Sequence, residues 1–576
     1  MMLKSPWYDS VNLESPLGEY PRMQLQRGSF TSLNGPWEFQ ITDGAEPDLL
    51  SGWSPINVPF ALGSPLSGTD RNLKPDEVLW VRRQFHYYPE GPMTVLNFEA
   101  VDQCCVVYLN GMEAGRHEGG YTPFSLDVSS LIKEHNEILV RITDRTDTGL
   151  YAYGKQRLEA GGIWYTGSAG IWQTVWLEDL PEHAVQDIKI TPDCENDSVY
   201  LRMAGTYSQV VITVFAGTEL VHRGITNKKD YTIPLENYHA WSNTDPFLYT
   251  LYLQTEEETV KSYFAMRRFG AKRDHHGYLR FTLNGEPLFL SGILDQGYNS
   301  DGLLTYPCEE AMIWELKKIR EMGFNMIRKH VKVECRRWYY LCDLLGILVM
   351  QDIPNGGHPY DFRRTAVLPT LGFRKADDKE YDKNGRGSQE LRDAYYQELN
   401  EILDMLYNCP CVFAWVPFNE GWGQFDSAEV TEHIKQYDTT RLVDSASGWF
   451  DQGAGDFNSR HCYFRPFRAP SGDGRILILS EFGGYSYAEA GHSEVKGKLY
   501  GTRKFSDMAK WNDAVLKLFE RDVLSNVSKG LSGSVFTQTA DVQDECNGLF
   551  SADRRVVKAD ERKLRRLNER IIRSMK

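Results

Sequence analysis

The chain has 576 residues, 41% of them hydrophobic and 25% charged, with a formal net charge of −15. A charge of that sign repels phosphate backbones, so nucleic acid is not expected as a partner. No run of 18 apolar residues is present to span a membrane, and the length allows three or four domains.

The chain start and the cysteines bear on the compartment. Residues 1–9 lack the charged segment followed by an apolar one that marks a secretory leader, so we expect a cytoplasmic protein. The ten cysteines form no Cys-x-x-Cys pair, which argues against zinc-ribbon and redox sites, and free thiols fit a reducing compartment. We expect no metal and no cofactor, and we leave open whether the protein forms a homo-oligomer.

The first 180 residues have the pattern of short strands. The apolar runs 94–100 and 105–109 are followed by Asn110 and Gly111, a pair that tolerates positive φ and favours a tight hairpin. Further strands are expected at 138–142 and 172–177. Short strands separated by turn residues predict a jelly-roll-like β-sandwich over residues 1–181.

A second set of strands follows a boundary at 181–183. Apolar runs lie at 188–190, 199–201, 210–214 and 248–253. About 85 residues of this kind fit one immunoglobulin-like sandwich, predicted over 182–269.

From residue 270 onward, helices and strands are predicted to alternate. Met312, Ile313, Leu316, Ile319 and Met322 have helical spacing, and short buried strands follow. Continuous apolar strands alternating with helices over about 300 residues predict a (β/α)₈ TIM barrel over 270–576. The strands are expected at 324–328, 345–350, 412–417, 476–479 and 534–537.

Two carboxylates follow buried strands of this predicted barrel. Glu420 comes after 414–419 and Glu481 after 476–480. Active groups of such barrels lie at the carboxyl ends of strands, and a charge there is costly unless it has partners or a task. Glycoside hydrolysis requires such a pair, although each could instead be a solvated or ion-paired side chain.

The neighbours of these carboxylates resemble glycoside hydrolase family 2, which includes β-galactosidases, β-glucuronidases and β-mannosidases. Residues 415–424 are similar to the acid/base motif of the family and 480–484 to its nucleophile motif. The resemblance, which 161–176 and 245–249 extend over nearly the whole chain, implies that Glu420 is the general acid/base and Glu481 the nucleophile. It also implies that Asn419 contacts the sugar 2-hydroxyl.

Other residues are assigned roles at the substrate by the same resemblance. Arg328, at the end of a barrel strand, is expected to keep Glu481 ionised by lowering its pKa. Tyr463 is expected to hydrogen-bond Glu481, Trp422 to stack on a sugar face, and Gln538 to bind substrate; each also has an ordinary structural interpretation. His330 belongs to a basic cluster that, if one member faces the pocket, could hold a uronic acid: Arg328, Lys329, His330, Lys332, Arg336 and Arg337.

The chain departs from the family at two places. Residues 294–298 replace a frequent His-Glu pair, which leaves Asp295 as a candidate for sugar hydroxyls. Residues 544–550 lack the Asn-x-Lys motif with which glucuronidases of the family hold a carboxylate.

We therefore expect a retaining exo-β-glycosidase of β-galactosidase type that acts on a carbohydrate. The alternatives are a β-hexuronidase and a catalytically inactive carbohydrate-binding protein. Residues 372–390 are either a loop over the barrel mouth or a surface insertion.

Overall fold

The computed structural model describes residues 3–361, 363–374, 377–495 and 497–575. Two antiparallel sheets form a first β-sandwich, as predicted. Asn110 and Gly111, with φ of 53° and 81°, close the predicted hairpin. In spatial order, one sheet contains Ser54–Val58, Gly35–Thr42, Val78–His86, His135–Thr143, Cys104–Leu109 and Met112–Glu118, and the other Thr31–Ser32, Val175–Leu180, Met93–Phe98 and Phe124–Asp127.

The second sandwich is smaller and also antiparallel. Its inward side chains, among them Val199, Leu201, Ile212 and Leu251, alternate with outward ones and form a separate hydrophobic core. One sheet contains Val185–Asp193, Ser198–Gly205 and Asp230–Pro234, and the other Glu219–Thr226, Val210–Ala216, Tyr249–Gln254 and Thr259–Phe264. The hairpin Phe269–Arg273, Leu279–Leu283 and Glu286–Pro287 then leads into the barrel.

Eight parallel strands form a nearly closed barrel. In chain order they are β1 Leu290–Asp295, β2 Met326–Lys329, β3 Leu348–Asp352, β4 Val412–Val416, β5 Leu442–Val443, β6 Phe457–Cys462, β7 Ile476–Gly483 and β8 Leu531–Thr537. Their spatial order is β5-β4-β3-β2-β1-β8-β7-β6, and within the described residues no ladder joins β5 to β6. Side chains of every strand except part of β5 and β6 are buried, which explains the continuous apolar runs in the sequence.

Helices surround the barrel. The helix at Glu309–Glu321 buries Met312, Leu316 and Ile319, as its spacing predicted. None of the helices in the described ranges is both long and apolar enough to cross a membrane. The longer helices are Glu309–Glu321, Arg336–Leu345, Gln389–Leu406, Ser427–Tyr437, Met508–Leu518 and Glu561–Arg573; shorter helical segments are Leu368–Thr370 and Ser525–Val527.

The first sandwich packs against the carboxyl end of the barrel. Tyr165 and Trp172 belong to the same buried hydrophobic cluster as the barrel strands. The carbonyl of Trp172 accepts a hydrogen bond from Thr305 Oγ1 at 2.6 Å. The short parallel pair Gln156–Arg157 and Tyr165–Thr166 brings segment 155–165 to the barrel mouth. The domain boundaries given above stay a prediction.

Candidate active site

Glu420 lies just beyond β4 in an unusual backbone conformation. Its φ is +51°, and its N–H donates to the Ser447 carbonyl at 2.9 Å. Its own carbonyl accepts from Trp449 Nε1 at 2.9 Å. Left-handed φ is uncommon for residues other than glycine and persists where surrounding contacts hold it. These contacts orient the carboxyl group toward the centre of the barrel mouth.

Glu481 lies within β7 and is held by two donors. Arg328 Nη1, from β2, is 3.2 Å from its Oε1. Tyr463 donates its hydroxyl to Oε2 at 2.5 Å and also lies 3.0 Å from Thr537 Oγ1. The predicted contacts of Arg328 and Tyr463 with Glu481 are therefore present in the structure.

Glu420 and Glu481 face each other across His461. Oxygen atoms of the two carboxyl groups and a ring nitrogen of His461 all lie within 4.8 Å of one another. His461 Nδ1 is 2.8 Å from Glu420 Oε1 and 3.4 Å from Glu481 Oε2. Sequence reasoning missed His461, although alternation along β6 would have placed it on the inward face of the strand.

Burial sets the protonation of this group. It raises the pKa of Glu420 well above its ordinary value, and the charge of Glu481 raises it further. Burial also raises the pKa of Glu481, but Arg328 and the Tyr463 hydroxyl oppose that rise. Arg328 thus lowers the pKa of Glu481, as expected, although burial outweighs this effect and leaves the pKa above its ordinary value. The proton is held by Glu420, and burial lowers the pKa of His461 so that its ring is neutral.

Arg328 organises the residues beneath the pair. Its guanidinium is fully buried and makes two hydrogen bonds to Asp352, at 2.9 and 3.0 Å. It also donates to Asn419 Oδ1 at 2.8 Å, which leaves Asn419 Nδ2 as a buried donor without a partner among the described residues. His330 Nδ1 lies 2.9 Å from the same Asp352, and burial lowers the pKa of His330 to about 3.

A cavity of about 500 Å³ opens above Glu420 and Glu481. Its floor comes from the barrel, and one wall comes from the first sandwich. Trp422, from the barrel segment after β4, lines the cavity with its ring centroid 4.9 Å from that of Trp164 of the first sandwich. Its stacking on a sugar stays a prediction. The lining residues are Lys155, Gly161, Gly162, Ile163, Trp164, Leu294, Gln296, His330, Ala366, Val367, Leu371, Glu420, Trp422, Trp449, Tyr463, Phe464, Glu481, Gly484, Tyr500, Gly501, Thr502, Thr537, Glu545 and Asn547.

Two charged residues of the wall were not predicted. Lys155 is 6% exposed, and its Nζ lies 4.9 Å from the Trp422 ring centroid without an ion pair among the described residues. Glu545 accepts a hydrogen bond from Tyr165 at 2.5 Å. Burial raises the pKa of Glu545, and the charge of Lys155 opposes the rise. No sequence motif marked either residue, since the cavity forms only when the sandwich docks on the barrel.

Two predicted substrate contacts are not brought to the cavity. The Asp295 carboxylate accepts from Lys329 Nζ at 2.5 Å, and this ion pair is buried below the lining. Gln538 is fully buried, and its Nε2 donates to Asn547 Oδ1 at 2.7 Å. Neither residue lines the cavity: Asp295 is engaged by Lys329, whereas Gln538 Oε1 has no hydrogen-bond partner among the described residues. Their contacts with substrate stay predictions.

The predicted basic cluster is likewise paired. Apart from His330, none of its members lines the cavity, and each cation has a carboxylate partner. These pairs are Arg328–Asp352, Lys329–Asp295, Lys332–Glu334, Arg336–Glu99 and Arg337–Glu309. The cation that does face the cavity is Lys155.

The segment 372–390 does not line the cavity where it is described. Lys375 and Ala376 lie outside the described residues, so the loop hypothesis is not decided there. Val367 and Leu371, just before the segment, do line the cavity.

Glu420, His461 and Glu481 also form the grouping, within the described ranges, whose ligand atoms are close enough to hold a metal ion. The expected absence of a metal stays a prediction.

Comparison with known proteins supports the fold. The profile of "Glycosyl hydrolases family 2, TIM barrel domain" matches residues 279–464. A putative β-glucuronidase of Formosa agariphila is 24% identical over 69% of this chain and 46% of its own length. A β-galactosidase of Clostridium acetobutylicum is 23% identical over 62% of this chain and 39% of its own length. The chain thus spans less than half the length of these two relatives.

Solved structures match along almost the whole chain. A β-D-glucuronidase of Dictyoglomus thermophilum superimposes with a TM-score of 0.74 at 15% identity, covering 96% of this chain and 98% of that one. A β-galacturonidase of Eisenbergiella tayi gives 0.68 at 17% identity, covering 95% and 97%. At such identities the match shows the shared three-domain fold alone.

Proposed function

We propose that the chain is a member of glycoside hydrolase family 2 and acts as a retaining exo-β-glycosidase. The observation that carries the proposal is the separation of Glu420 and Glu481, whose nearest oxygens are within 4.8 Å. Retaining enzymes hold their carboxyl groups about 5–5.5 Å apart, whereas inverting enzymes leave about 6.5–9.5 Å for a water. Direct attack on the sugar by one of the pair is therefore favoured.

The first step uses the unequal protonation of the pair. Glu481, ionised and held by Arg328 and Tyr463, attacks the anomeric carbon of the sugar. The bond from that carbon to the leaving oxygen breaks while Glu420 gives its proton to the oxygen. In the second step Glu420, now a carboxylate, takes a proton from water, and the water oxygen displaces Glu481. The free Nδ2 of Asn419 is available to the sugar 2-hydroxyl.

His461 is assigned a positioning role. Its neutral ring lies between both carboxyl groups, and its Nε2 is 2.9 Å from Ser447 Oγ. Because the ring is fixed and neutral, it adds no charge between the two glutamates when Glu420 loses or regains its proton. This arrangement keeps the pair close through both steps.

The charge of the cavity favours a neutral sugar. Its described lining contains three carboxyl groups, those of Glu420, Glu481 and Glu545, whereas the single lysine or arginine there is Lys155 and burial keeps His330 neutral. A lining with more carboxyl groups than cations disfavours an anionic sugar. Glu545 can instead accept hydrogen bonds from two sugar hydroxyls. We therefore place terminal β-galactosides first among the substrates.

A β-hexuronide is the second candidate, and Lys155 is the observation that favours it. Its ammonium is buried, has no ion-pair partner in the part of the chain that the structure describes, and could hold a sugar carboxylate by a charge-assisted bond. The names of the glucuronidases and the galacturonidase that share the fold are in line with this alternative.

The experiment is hydrolysis of a panel of nitrophenyl β-glycosides, followed by NMR of the first product. The panel contains the galactoside, glucuronide, galacturonide, mannoside and glucosaminide. We expect release from the galactoside and a β-anomer as the first product. An α-anomer would contradict the retaining mechanism, and no release from any sugar would favour a carbohydrate-binding protein.

A further inference from the structure

A second cavity, which we call the arginine groove, lies beside the active site. Its volume is about 500 Å³, and four arginines line it without any carboxylate. Such a concentration of one charge in a concave site attracts anions. The lining residues are Arg374, Arg460, His461, Cys462, Arg465, Pro466, Phe467, Arg468 and Pro470.

The arginines of the groove are not neutralised by the protein. Within the described residues, none of the four has an acidic side chain within ion-pair distance, unlike Arg475 nearby, which pairs with Asp451. Within the same residues, the side chain of Arg460 donates to the neutral Asn458, and the buried Nε of Arg374 has no hydrogen-bond partner. Burial and the charges of Arg465 and Arg460 lower the pKa of Arg374, so an anion in the groove would relieve an existing repulsion.

The groove lies on the acid/base side of the active site. His461 lines it and is 2.8 Å from Glu420. The same turn forms the boundary between the two cavities, since Tyr463 and Phe464 line the active site whereas Cys462 and Arg465 line the groove. Under the proposed mechanism the leaving group departs on the side from which Glu420 protonates it. A leaving group longer than one sugar unit is thereby directed toward the arginines.

The rim between the cavities can support a sugar. The ring of Phe464 is 67% exposed and Leu371 is 68% exposed, and both line the active-site cavity. Exposed apolar side chains around a cavity are a feature of binding sites. An aromatic face in this position can pack against the first unit of a leaving group, and the arginines then lie beyond it.

We propose that the arginine groove binds an oxyanion, either a carboxylate or a sulfate, on the leaving-group side of the substrate. The enzyme would then release its terminal sugar from an acidic oligosaccharide. This inference rests on the proposed glycosidase function, because that function gives the leaving group its direction. Planar guanidinium groups bind carboxylates and sulfates alike, so the experiment tests a substrate with each of the two groups separately.

The kinetic test compares two disaccharides that differ only at C6 of the leaving sugar. One carries the preferred sugar β-linked to galacturonic acid, and the other carries it linked to galactose; a third arm uses 6-sulfated galactose. We expect kcat/KM to be about tenfold higher for an anionic leaving group at low salt and the ratio to fall toward one at about 0.5 M salt. In the double variant Arg465→Ala/Arg468→Ala the ratio should fall to about one at low salt.

The matched control is Arg562→Ala, an exposed arginine on the last helix. It should retain the ratio of the unmodified protein. A preference for the anionic leaving group that survives the double variant would overturn the inference, as would equal kcat/KM values for all three disaccharides. Preference for only the uronate or only the sulfate identifies which oxyanion the groove accepts.

A binding measurement separates this inference from the proposed function. Titration of the full chain with free galacturonate and with galactose 6-sulfate requires no turnover. We expect at least one to bind, with a loss of about tenfold in affinity in the double variant and none in Arg562→Ala. Arginine-dependent binding without hydrolysis of any glycoside would retain the groove and reject the glycosidase. Hydrolysis without binding of either anion would do the reverse.

Discussion

The floor and the wall of the active-site cavity are built on different principles. On the floor, Arg328 joins Asp352, Glu481 and Asn419 Oδ1 in a buried network. In the wall, Lys155 has no ion-pair partner among the described residues, and Glu545 is contacted by the neutral Tyr165 hydroxyl and Asn547 amide and by the charge of Lys155. A closely connected network fixes geometry, whereas a charge without a direct partner is available to a ligand. Under the proposed function, the floor therefore carries out the reaction and the wall selects the sugar.

Removal of the nucleophile is the strongest way to test the floor. We expect Glu481→Ala to lower kcat by at least about 10⁴-fold, as loss of a residue at the centre of catalysis commonly does. Added azide should give no β-linked product, because azide would then attack the face that Glu481 vacates and form an α-glycosyl azide. The measurement is NMR of the azide product. A β-glycosyl azide from this variant would reverse the roles of the two glutamates.

Replacement of the acid/base should produce a smaller and selective loss. We expect Glu420→Gln to lower kcat/KM by about 10²–10⁴-fold for poor leaving groups and much less for activated aryl glycosides, which need no proton. Because the proposed mechanism requires a protonated Glu420, we expect the activity of the unmodified protein to fall as pH rises through the raised pKa of that group. The variant should lose this alkaline limb for aryl glycosides in a kcat/KM profile. Persistence of the limb would mean that another group titrates.

The two charged residues of the wall can be tested by removing the negative charge in one variant and the positive charge in another. For a neutral galactoside we expect Glu545→Gln to lower kcat/KM about tenfold or more and Lys155→Met to have the smaller effect, because a hydroxyl-binding carboxylate is lost only in the first. The hydrolysis of the nitrophenyl glucuronide and galacturonide should be measured with the same two variants. A larger loss for Lys155→Met on a uronide than for Glu545→Gln on a galactoside would favour the hexuronide candidate.

The pH dependence of activity gives a second test of Lys155, and this test does not depend on which sugar is hydrolysed. Its charge lowers the pKa of both Glu420 and Glu481, so its removal should raise both. Both limbs of the pH profile should therefore move to higher pH in Lys155→Met. A profile that keeps its position would show that Lys155 does not act on the catalytic pair.

The same comparison explains what could be predicted from the sequence. Glu420 and Glu481 were singled out because each directly follows a continuous apolar strand, and barrel geometry brings such strand ends together, whereas their separate roles came from the family resemblance. Lys155 and Glu545 were missed because they meet only through docking of two domains, which no local pattern encodes. Asp295 was a candidate for sugar hydroxyls because it stands where the family often has a His-Glu pair after the first barrel strand, but its carboxylate pairs with Lys329 on the adjacent strand. Strand-end position thus predicts proximity to a site better than it predicts orientation.

A final and smaller effect concerns stability beneath the floor. Asp444 follows β5 and is fully buried, with the Ser459 hydroxyl and the charge of Arg328 near its carboxylate. Burial raises its pKa to about 7. The folded state therefore retains a proton that the unfolded state loses near its ordinary pKa of 3.8, so this group reduces stability as pH rises from about 4 to about 7.

We expect Asp444→Asn to remove this dependence. At pH 8 the variant should be more stable than the unmodified protein by up to about 4 kcal/mol, and near pH 4 the two should differ little. Denaturant unfolding at both pH values measures the difference, and the exposed Asp513→Asn serves as the control. Equal destabilisation at both pH values would show that the Asp444 carboxylate is satisfied in the folded state. In that case the network of the floor would extend one residue further than Arg328 and Asp352.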